Sequence, residues 1–501
     1  VAISVCACLV LVWSAQYNPF FDRTLSLFAF EPVLWLGLVP IAVWRNWVAA
    51  CFSGVWIAMF RVFGLAEQGC THYLHRSFEL INDIRLVPAL EKVMTNTGGH
   101  GTIVLVGVFL GLYLLLAVGF SRVSVIEPRA PIPVFLVLAV SGAVFQFAPL
   151  SVRWGAELAS VANPEALEEK ILVEQERVAA AWPNEPDARW RKRDVHVVLI
   201  ESYGETVLRH PLLGSVREQT LPRFERELEK EGLVVVSRLL RSPTFGGRSW
   251  LAHASIDGGT MITDSLRYER LFWSDIVPLA RHFRDAGYAT SSVAAGVTEE
   301  WPDGKYLAYE FTHYRDQLAY DGGRKFGWGH IPDQWTFEHA WEQMAKEDRP
   351  GFTEWHLVST HVPFAEHPPV LPWGATLAPQ VYKDVEVKTF PIEWPYMRDA
   401  HAGYAWSLDY EFRILAQTIP RLLEEGGIVV LVGDHQPNGA MTLRDESWNV
   451  PCHVIARDLE TLSAFSGFRP GLVPKMESET PPLSSLYGML LANESGRPRN
   501  L

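Results

Sequence analysis

Two short stretches, far apart in the chain, each end in side chains that can bind a metal ion. The aliphatic run 197–200 is followed by Glu201, and the run 428–433 is followed by Asp434 and His435. Aliphatic and β-branched runs of this kind predict strands buried on both faces. In an open α/β sheet, ligands collect in the crevice beyond the carboxyl ends of the strands. We therefore expect Glu201, Asp434 and His435 to form one metal site.

A candidate nucleophile, Ser249, lies between these two stretches. It follows the glycine pair Gly246-Gly247 and Arg248, and residues 249–255 predict a short helix. The free N–H groups and the positive dipole end at a helix start favour a phosphate and an ionised hydroxyl. Serine is also a common N-cap residue, so the position alone does not define a nucleophile. The strand-end ligands favour the nucleophile.

A serine hydroxyl needs a base or a metal ion before it can attack at neutral pH. Glu201, Asp434 and His435 offer two oxygens and one nitrogen, and Ser249 Oγ would be a further ligand that the ion deprotonates. This set suits one divalent ion, Zn²⁺ or Mn²⁺, and Mg²⁺ also fits. The combination predicts metal-assisted phosphoryl transfer.

Two further residues are candidates for contact with the substrate. His361 follows another short predicted strand and could protonate the leaving oxygen or hold a phosphate oxygen, although a histidine close to a proline is also a common turn residue. Arg248 could pair with an anionic substrate, or it could point to solvent. Both are interpreted as substrate-binding residues, and His361 also as a catalytic residue.

The composition divides the chain into three parts. Residues 1–150 are strongly apolar and predict a transmembrane domain of about five helices; residues 151–193 predict a connector helix and a Pro-rich hinge; residues 194–501 resemble an ordinary globular sequence. The apolar runs are 1–13, 25–44, 47–60, 102–120 and 132–150. Two of them, 25–44 and 47–60, could instead form a re-entrant pair.

Arginines predict the orientation of the membrane domain. Arg45, Arg122 and Arg129 fall in two loops on the same side, which favours a cytoplasmic location for those loops and places the C-terminal domain outside the cytoplasm. The first apolar run begins at Val1 without a Met or a basic flank, so we expect that the natural start is missing. The net charge of −13 excludes the basic footprint of a nucleic-acid-binding protein.

Strand-like and helix-like runs alternate from Asp194 onward. This alternation predicts an α/β extracytoplasmic domain with a largely parallel central sheet covered by helices on both faces. The fold class is therefore an N-terminal multi-pass α-helical membrane domain followed by an α/β domain.

The site residues resemble those of the sulfatase-like branch of the alkaline phosphatase superfamily. The closest resemblance is to its membrane phosphoglycerol transferases of the lipoteichoic acid synthase type. It implies one ion, with Mn²⁺ favoured, held by Glu201, Ser249, Asp434 and His435, with Ser249 as the nucleophile. The segment 361–364 is similar to the family's His-x-Pro-Phe segment, whose histidine contacts substrate.

The sequence also departs from that family. Teichoic acid synthases use a Thr nucleophile and a Trp-Asn-Arg-Asp motif that grips glycerol phosphate, whereas this chain has Trp-Pro-Asp-Gly at 301–304. Trp301 could still line the substrate pocket, but the phosphate-gripping Arg is missing. The x-Pro-x-Arg string of true sulfatases does not follow Ser249, which disfavours arylsulfatase activity.

These observations predict a bacterial inner-membrane transferase. The expected donor is a membrane phospholipid whose phosphoryl-linked head group, phosphoglycerol in the favoured case, passes through Ser249 to an extracytoplasmic glycan or lipid acceptor. Phosphoethanolamine transfer, with His453 or His401 as an extra ligand, is an alternative, as is a phosphodiesterase or sulfuric-ester hydrolase of the same superfamily. A non-catalytic membrane sensor is a third possibility. The sequence leaves the oligomeric state open.

Overall fold

A computed structural model of the chain describes residues 69–76, 78–79, 83, 164–179, 186, 190, 192–294, 311–312, 320, 322–328, 331–344, 348–364, 366–390, 400–443, 447–477 and 479–491. The chain forms two compact units, Val1–Ala166 and Leu167–Leu501. The division into parts at residues 150 and 193 stays a prediction.

The five predicted membrane passes lie outside the described residues, and so does Trp301. Within the part of the chain that the structure describes, no helix has the length and apolar character that a membrane crossing requires.

An eight-stranded mixed sheet forms the centre of the second unit. Its strands are β1 (Asp194–Ile200), β2 (Val234–Arg241), β3 (Ala289–Val293), β4 (Phe311–Thr312), β5 (Gly351–Leu357), β8 (Gly427–Gly433), β9 (Asn449–Ala456) and β10 (Arg469–Pro470), and a separate ribbon is made by β6 (Glu366–His367) and β7 (Lys388–Thr389). The order of the strands across the sheet is β10-β2-β9-β8-β1-β5-β3-β4.

The predicted largely parallel sheet is correct for one part of the sheet only. Strands β8, β1, β5, β3 and β4 are parallel neighbours, whereas β9, β2 and β10 continue the other edge with antiparallel pairing. Strand β9 is buried along nearly its whole length, like the parallel strands, and β2 is an apolar run interrupted by Ser237 and Arg238 and ended by Arg241. Burial therefore identified these strands but not their direction.

Helices cover both faces of this sheet. The helices from residue 164 onward are α1 (Pro164–Ala179), α2 (Thr206–Arg209), α3 (Leu221–Lys230), α4 (Ser249–Gly258), α5 (Ser265–Leu271), α6 (Leu279–Asp285), α7 (Asp333–Met344), α8 (Ala400–Leu422), α9 (Leu459–Leu462) and α10 (Ser485–Leu490). Short 3-10 or π turns occupy Pro211–Leu213, Val216–Thr220, Pro379–Tyr382 and Gly439–Met441.

Strand β1 shows how the two faces are built. Val198 and Ile200 point into a core shared with α3 and α8, while Val197 and Leu199 point into the opposite core, shared with α4, α6 and α10. Successive side chains of a strand alternate between faces, so an unbroken aliphatic run fills both cores. The last residue of β1, Ile200, is then followed by the first polar side chain of the site.

Several buried histidines are held neutral by their surroundings. His453 in β9 has Tyr203 Oη 3.0 Å from its Nε2 and Ser237 Oγ 2.6 Å from its Nδ1. His367 lies with its Nε2 2.6 Å from Ser407 Oγ. Burial lowers the pKa of His453 to about 3 and that of His367 to about 4.

Acidification is expected to remove the stability that these two histidines contribute. Both pKa values lie below the value of about 6.5 for an unfolded histidine, so the unfolded chain takes up protons first as the pH falls. Stability is fully present above about pH 6.5 and declines toward about pH 4, by on the order of 3 kcal/mol for each histidine. Urea unfolding of the metal-free protein at a series of pH values measures this.

A matched variant assigns part of this slope to one residue. His367→Asn retains a group that can hydrogen-bond Ser407 but cannot titrate, so its stability is expected to fall less steeply with acid than that of the wild type. An equal fall in unfolding free energy between about pH 7 and about pH 5 in His367→Asn and in the wild type would contradict the prediction.

Candidate active site

The register of the central strands brings the predicted ligands together. Strand β1 pairs with β8 in parallel, and Ile200 lies opposite Gly433. Glu201 and Asp434, the next residue on each strand, therefore leave the sheet side by side. This is the crevice beyond the strand ends that the sequence predicted.

The two strand ends touch each other through the backbone at Gly433. A Cβ atom at this position would lie 1.8 Å from the carbonyl oxygen of Tyr203, which is fixed main chain. The segment after Ile200, which contains Tyr203, can therefore pass close to β8 only because residue 433 has no side chain. Glycine here sets the separation of the two metal-ligand segments.

Replacing Gly433 with Ala is expected to destabilise the protein by on the order of 3 kcal/mol or more, because backbone must move to admit the methyl group. Thermal or urea unfolding measures the loss. Gly351→Ala is the matched control in a neighbouring strand, where the nearest atom to the new Cβ is Asp194 Oδ1 at 3.5 Å, an ordinary contact. Similar stabilities for the two variants would show that the close approach is unimportant.

Asp434 is held so that one oxygen serves the backbone and the other is left for a ligand. Its Oδ1 accepts the backbone N–H groups of Ser202 and His435, both at 2.7 Å. Ser202 has a φ of 58°, in the left-handed region, which turns its N–H toward Asp434. The Ser202 hydroxyl in turn donates to Glu201 Oε1 at 2.9 Å.

His435 presents its other nitrogen to the same place. Its Nδ1 lies 2.7 Å from the carbonyl oxygen of Gln436, which can only accept, so Nδ1 carries the proton and Nε2 keeps its lone pair in the neutral ring. Nε2 lies 3.3 Å from Glu201 Oε1 and 3.6 Å from Asp434 Oδ2. A histidine fixed through one nitrogen and open at the other is the usual arrangement of a metal ligand.

Ser249, the predicted nucleophile, lies in contact with this cluster. It is the first residue of α4, and the preceding turn uses three positive φ values, 69° at Gly246, 147° at Gly247 and 64° at Arg248. The Ser249 hydroxyl donates to Glu201 Oε2 at 2.8 Å, and its oxygen lies 3.1 Å from His435 Nε2. Ser249 is thus a hydroxyl at a helix start in direct contact with the ligand group.

The residues fit one divalent metal ion. Ligand atoms of Glu201, Asp434 and His435 lie within 4.8 Å of one another, and all three side chains are buried. Two carboxylates in so small a buried space repel each other unless a cation or protons compensate them. Two oxygens, an imidazole nitrogen and a nearby hydroxyl match the preferences of Zn²⁺ and Mn²⁺.

The pKa values of the cluster show the same demand for positive charge. Burial and the neighbouring Glu201 raise the pKa of Asp434 to about 8. For His435, burial lowers the pKa, but Asp434 and Glu201 outweigh it and raise the value to about 9. Burial raises the pKa of Glu201, but the charges of His435 and His361 and the hydrogen bond from Ser249 lower it by more. The net pKa lies well below the usual value, so Glu201 stays ionised. Protons fill the role that a metal ion would take.

His361 lies beside the cluster, on the loop after β5. Its charge acts on Glu201, and its ring stacks on Trp328 with the ring centres 4.6 Å apart. Its Nδ1 lies 2.5 Å from the carbonyl oxygen of Val362, so Nδ1 is the donor and Nε2 is the nitrogen available to a substrate. The role of His361 in the chemistry stays a prediction.

Arg248 is buried rather than pointing to solvent, with 9% of its surface exposed. It follows the two glycines and directly precedes Ser249, so its guanidinium stays a candidate partner for an anionic substrate.

Neither of the extra histidines considered for phosphoethanolamine transfer joins the ligand group. His453 is enclosed by Tyr203 and Ser237, and His401 stacks on His210 with the ring centres 4.5 Å apart. Among the described residues, the group that could hold a metal ion contains Glu201, Asp434 and His435.

Sequence reasoning missed several residues that support the site. His253, one helical turn after Ser249, has its Nδ1 3.0 Å from Nδ1 of His356 in β5. The spacing of four residues on a predicted helix was the available signal for His253. Thr360 donates its hydroxyl to the carbonyl oxygen of Glu201 at 2.5 Å, and no local pattern announces such a contact.

Known proteins were compared with the chain. No protein-family model matches it, and no curated protein does. Solved structures that align with it include the lipoteichoic acid synthase from Listeria monocytogenes, at 11% identity and a TM-score of 0.41 over 66% of this chain and 79% of that one. Another is the lipooligosaccharide phosphoethanolamine transferase A from Neisseria meningitidis, at 12% identity and 0.47, over 92% and 95%.

A third is the Streptococcus pyogenes phosphoglycerol transferase in complex with sn-glycerol-1-phosphate, at 11% identity and a TM-score of 0.38 over 64% of this chain and 78% of that one. These proteins are of the kinds that the sequence motifs resemble. The proposed chemistry rests on the contacts within the site.

Proposed function

We propose that this protein is a metal-dependent phosphotransferase that moves a phosphoryl-linked head group from a phospholipid to an extracytoplasmic glycan or lipid through a covalent intermediate on Ser249. The observation that carries the proposal is the contact of the Ser249 hydroxyl with both Glu201 and His435, two members of the ligand group. A plain N-cap serine has no need for such partners.

The chain's own residues account for the first step. Ser249 Oγ attacks the phosphorus of the donor, the bond from phosphorus to the lipid oxygen breaks, and diacylglycerol leaves. Glu201 Oε2 accepts the hydrogen bond of the Ser249 hydroxyl, orients its oxygen for the attack and takes up its proton, which it returns when the phosphorus–Oγ bond breaks in the second step. His361, as an imidazolium with its second proton on Nε2, gives that proton to the departing lipid oxygen.

The second step reverses the roles. A hydroxyl of the acceptor attacks the phosphoserine, the phosphorus–Oγ bond breaks, and Ser249 regains its proton. His361 then accepts the proton of the attacking hydroxyl. A divalent ion held by Glu201, Asp434 and His435 would supply positive charge that lowers the pKa of the serine and offsets the charge of the transferring phosphate.

The proposed compartment and donor follow from the predicted membrane segments. An apolar N-terminal domain in a bacterial inner membrane would hold the catalytic unit at the outer surface, within reach of lipid head groups. Phosphoglycerol is the favoured head group and Mn²⁺ the favoured ion, both on the resemblance stated above. If water replaces the acceptor, the same residues make a phosphodiesterase.

Labelled donors test the proposal. The full-length protein, loaded with Mn²⁺ or Zn²⁺, is incubated with vesicles of phosphatidylglycerol or phosphatidylethanolamine that carry a label in the head group. The proposal expects diacylglycerol and an acceptor-bound label from one donor. Release of free labelled head group would identify a phosphodiesterase, and the absence of diacylglycerol from either donor would refute lipid transfer.

A further inference from the structure

We propose that Asp333 is a positioning residue of this active site, which fixes the loop that carries His361 and supports Glu201. The inference rests on the proposed function, because it concerns how that reaction's residues are held. Asp333 begins α7 and Glu411 lies in α8, and both carboxyl groups are fully buried. Neither touches the ligand group directly.

Asp333 binds the start of the His361 loop. Its Oδ2 accepts the backbone N–H of Val358 at 2.9 Å and that of Ser359 at 2.6 Å. These two amides directly follow β5 and would otherwise be buried donors without a place in the sheet. A single carboxylate oxygen that accepts two amides sets both the position and the direction of the chain at this point.

The loop held by Asp333 in turn holds two parts of the site, His361 and the backbone of Glu201. Two residues beyond Ser359 is His361, whose N–H donates to the Val358 carbonyl at 3.0 Å. Between them, the Thr360 hydroxyl donates to the main-chain oxygen of Glu201 at 2.5 Å. A shift of the loop therefore moves His361 and the backbone of a metal ligand at the same time.

Glu411, in α8, is an electrostatic neighbour of Asp333. Burial raises the pKa of both carboxyl groups, and the charge of Asp333 adds to the effect on Glu411, whose pKa lies well above its usual range, so Glu411 is protonated. Seven residues earlier, on the same face of α8, the Tyr404 hydroxyl donates to the main-chain oxygen of Ser202. One face of α8 thus supports both the loop after β1 and the residue that holds the loop after β5.

Four variants of the full-length protein test the inference. Asp333→Asn weakens the acceptor of the two amides, Thr360→Val removes the hydroxyl that reaches Glu201, and Glu411→Gln keeps the shape and neutrality of the protonated acid. Asp458→Asn is the control, since Asp458 Oδ1 also accepts a backbone N–H, that of Thr461 at 2.7 Å. Asp458 follows the carboxyl end of β9. Because β9 is antiparallel to β8, this end lies at the opposite end of the strands from the site.

Two measurements separate positioning from general stability. The kinetic measurement is kcat and KM for the lipid donor, corrected for the folded fraction. Asp333→Asn and Thr360→Val are expected to lower kcat about tenfold to a hundredfold with little change in KM, while Glu411→Gln and Asp458→Asn stay within about threefold of the wild type.

The second measurement is independent of activity. Hydrogen–deuterium exchange of the peptide covering residues 355–364 is expected to rise in Asp333→Asn and to stay unchanged in Asp458→Asn. Unchanged exchange of this peptide, or a wild-type kcat, in folded Asp333→Asn overturns the inference. If the wild type releases no diacylglycerol, the proposed function fails, and the exchange experiment still decides whether Asp333 holds the loop.

Discussion

Replacing Ser249 with Ala is expected to lower the turnover of a phospholipid donor by about a thousandfold or more. The variant loses the only atom that can form the covalent bond in the proposed reaction, while the turn that presents it is set by Gly246, Gly247 and Arg248 and stays intact. The fold is therefore expected to survive. Diacylglycerol release, measured against the folded and metal-loaded fraction, gives the result.

A second serine provides the control for this experiment. Ser265 is also the first residue of a helix, α5, but that helix is capped by Asp264, and Ser265 is not part of the ligand group. Ser265→Ala is expected to keep wild-type activity. If Ser249→Ala retained a tenth or more of the wild-type rate, Ser249 would be a structural cap and the covalent mechanism would be wrong.

Substituting Asp434 with Asn is expected to weaken metal binding by about a hundredfold or more and to reduce turnover with it. The new side chain can still accept the N–H groups of Ser202 and His435 through Oδ1, so the loop keeps its shape. The second oxygen, 3.6 Å from His435 Nε2, is replaced by an NH₂ group, which cannot bind a cation. Metal content after dialysis and calorimetric titration with Mn²⁺ and Zn²⁺ measure the loss.

Asp409 is the matched control for the metal experiment. It accepts hydrogen bonds from Arg223 and Arg413, both at 2.7 Å. Asp409→Asn is expected to cost stability but to leave metal affinity unchanged. Equal metal affinity in Asp434→Asn and the wild type would remove Asp434 from the metal site.

The strand-end ligands could be found in the sequence because each belongs to a local pattern. Glu201, Asp434 and His435 directly follow aliphatic runs, and Ser249 directly follows a glycine turn, so the type of element and the place of the side chain were both readable. The predicted run 428–433 differs from β8 (Gly427–Gly433) by one residue, and the run 197–200 ends where β1 (Asp194–Ile200) ends. Strong periodic or continuous burial gives this accuracy.

Contacts between residues far apart in the chain could not be predicted from local sequence patterns. Asp333 contacts Val358 and Ser359 across twenty-five and twenty-six residues, and Thr360 contacts Glu201 across a hundred and fifty-nine. The sequence around Asp333 carries no pattern that points to either partner, because the contacts depend on how α7 docks beside β5. The antiparallel direction of β9 was missed for a related reason, since apolar burial is the same in either direction.

Intact-protein mass spectrometry tests the central claim most directly. The full-length protein and its Ser249→Ala variant are loaded with Mn²⁺, incubated with mixed bacterial phospholipids without an acceptor, and denatured rapidly in acid. We expect the wild type to gain the mass of one phosphoryl-linked head group, on a peptide containing Ser249, and the variant to gain none. An equal added mass in both proteins, or one located on another residue, would contradict the assignment of Ser249 as the nucleophile.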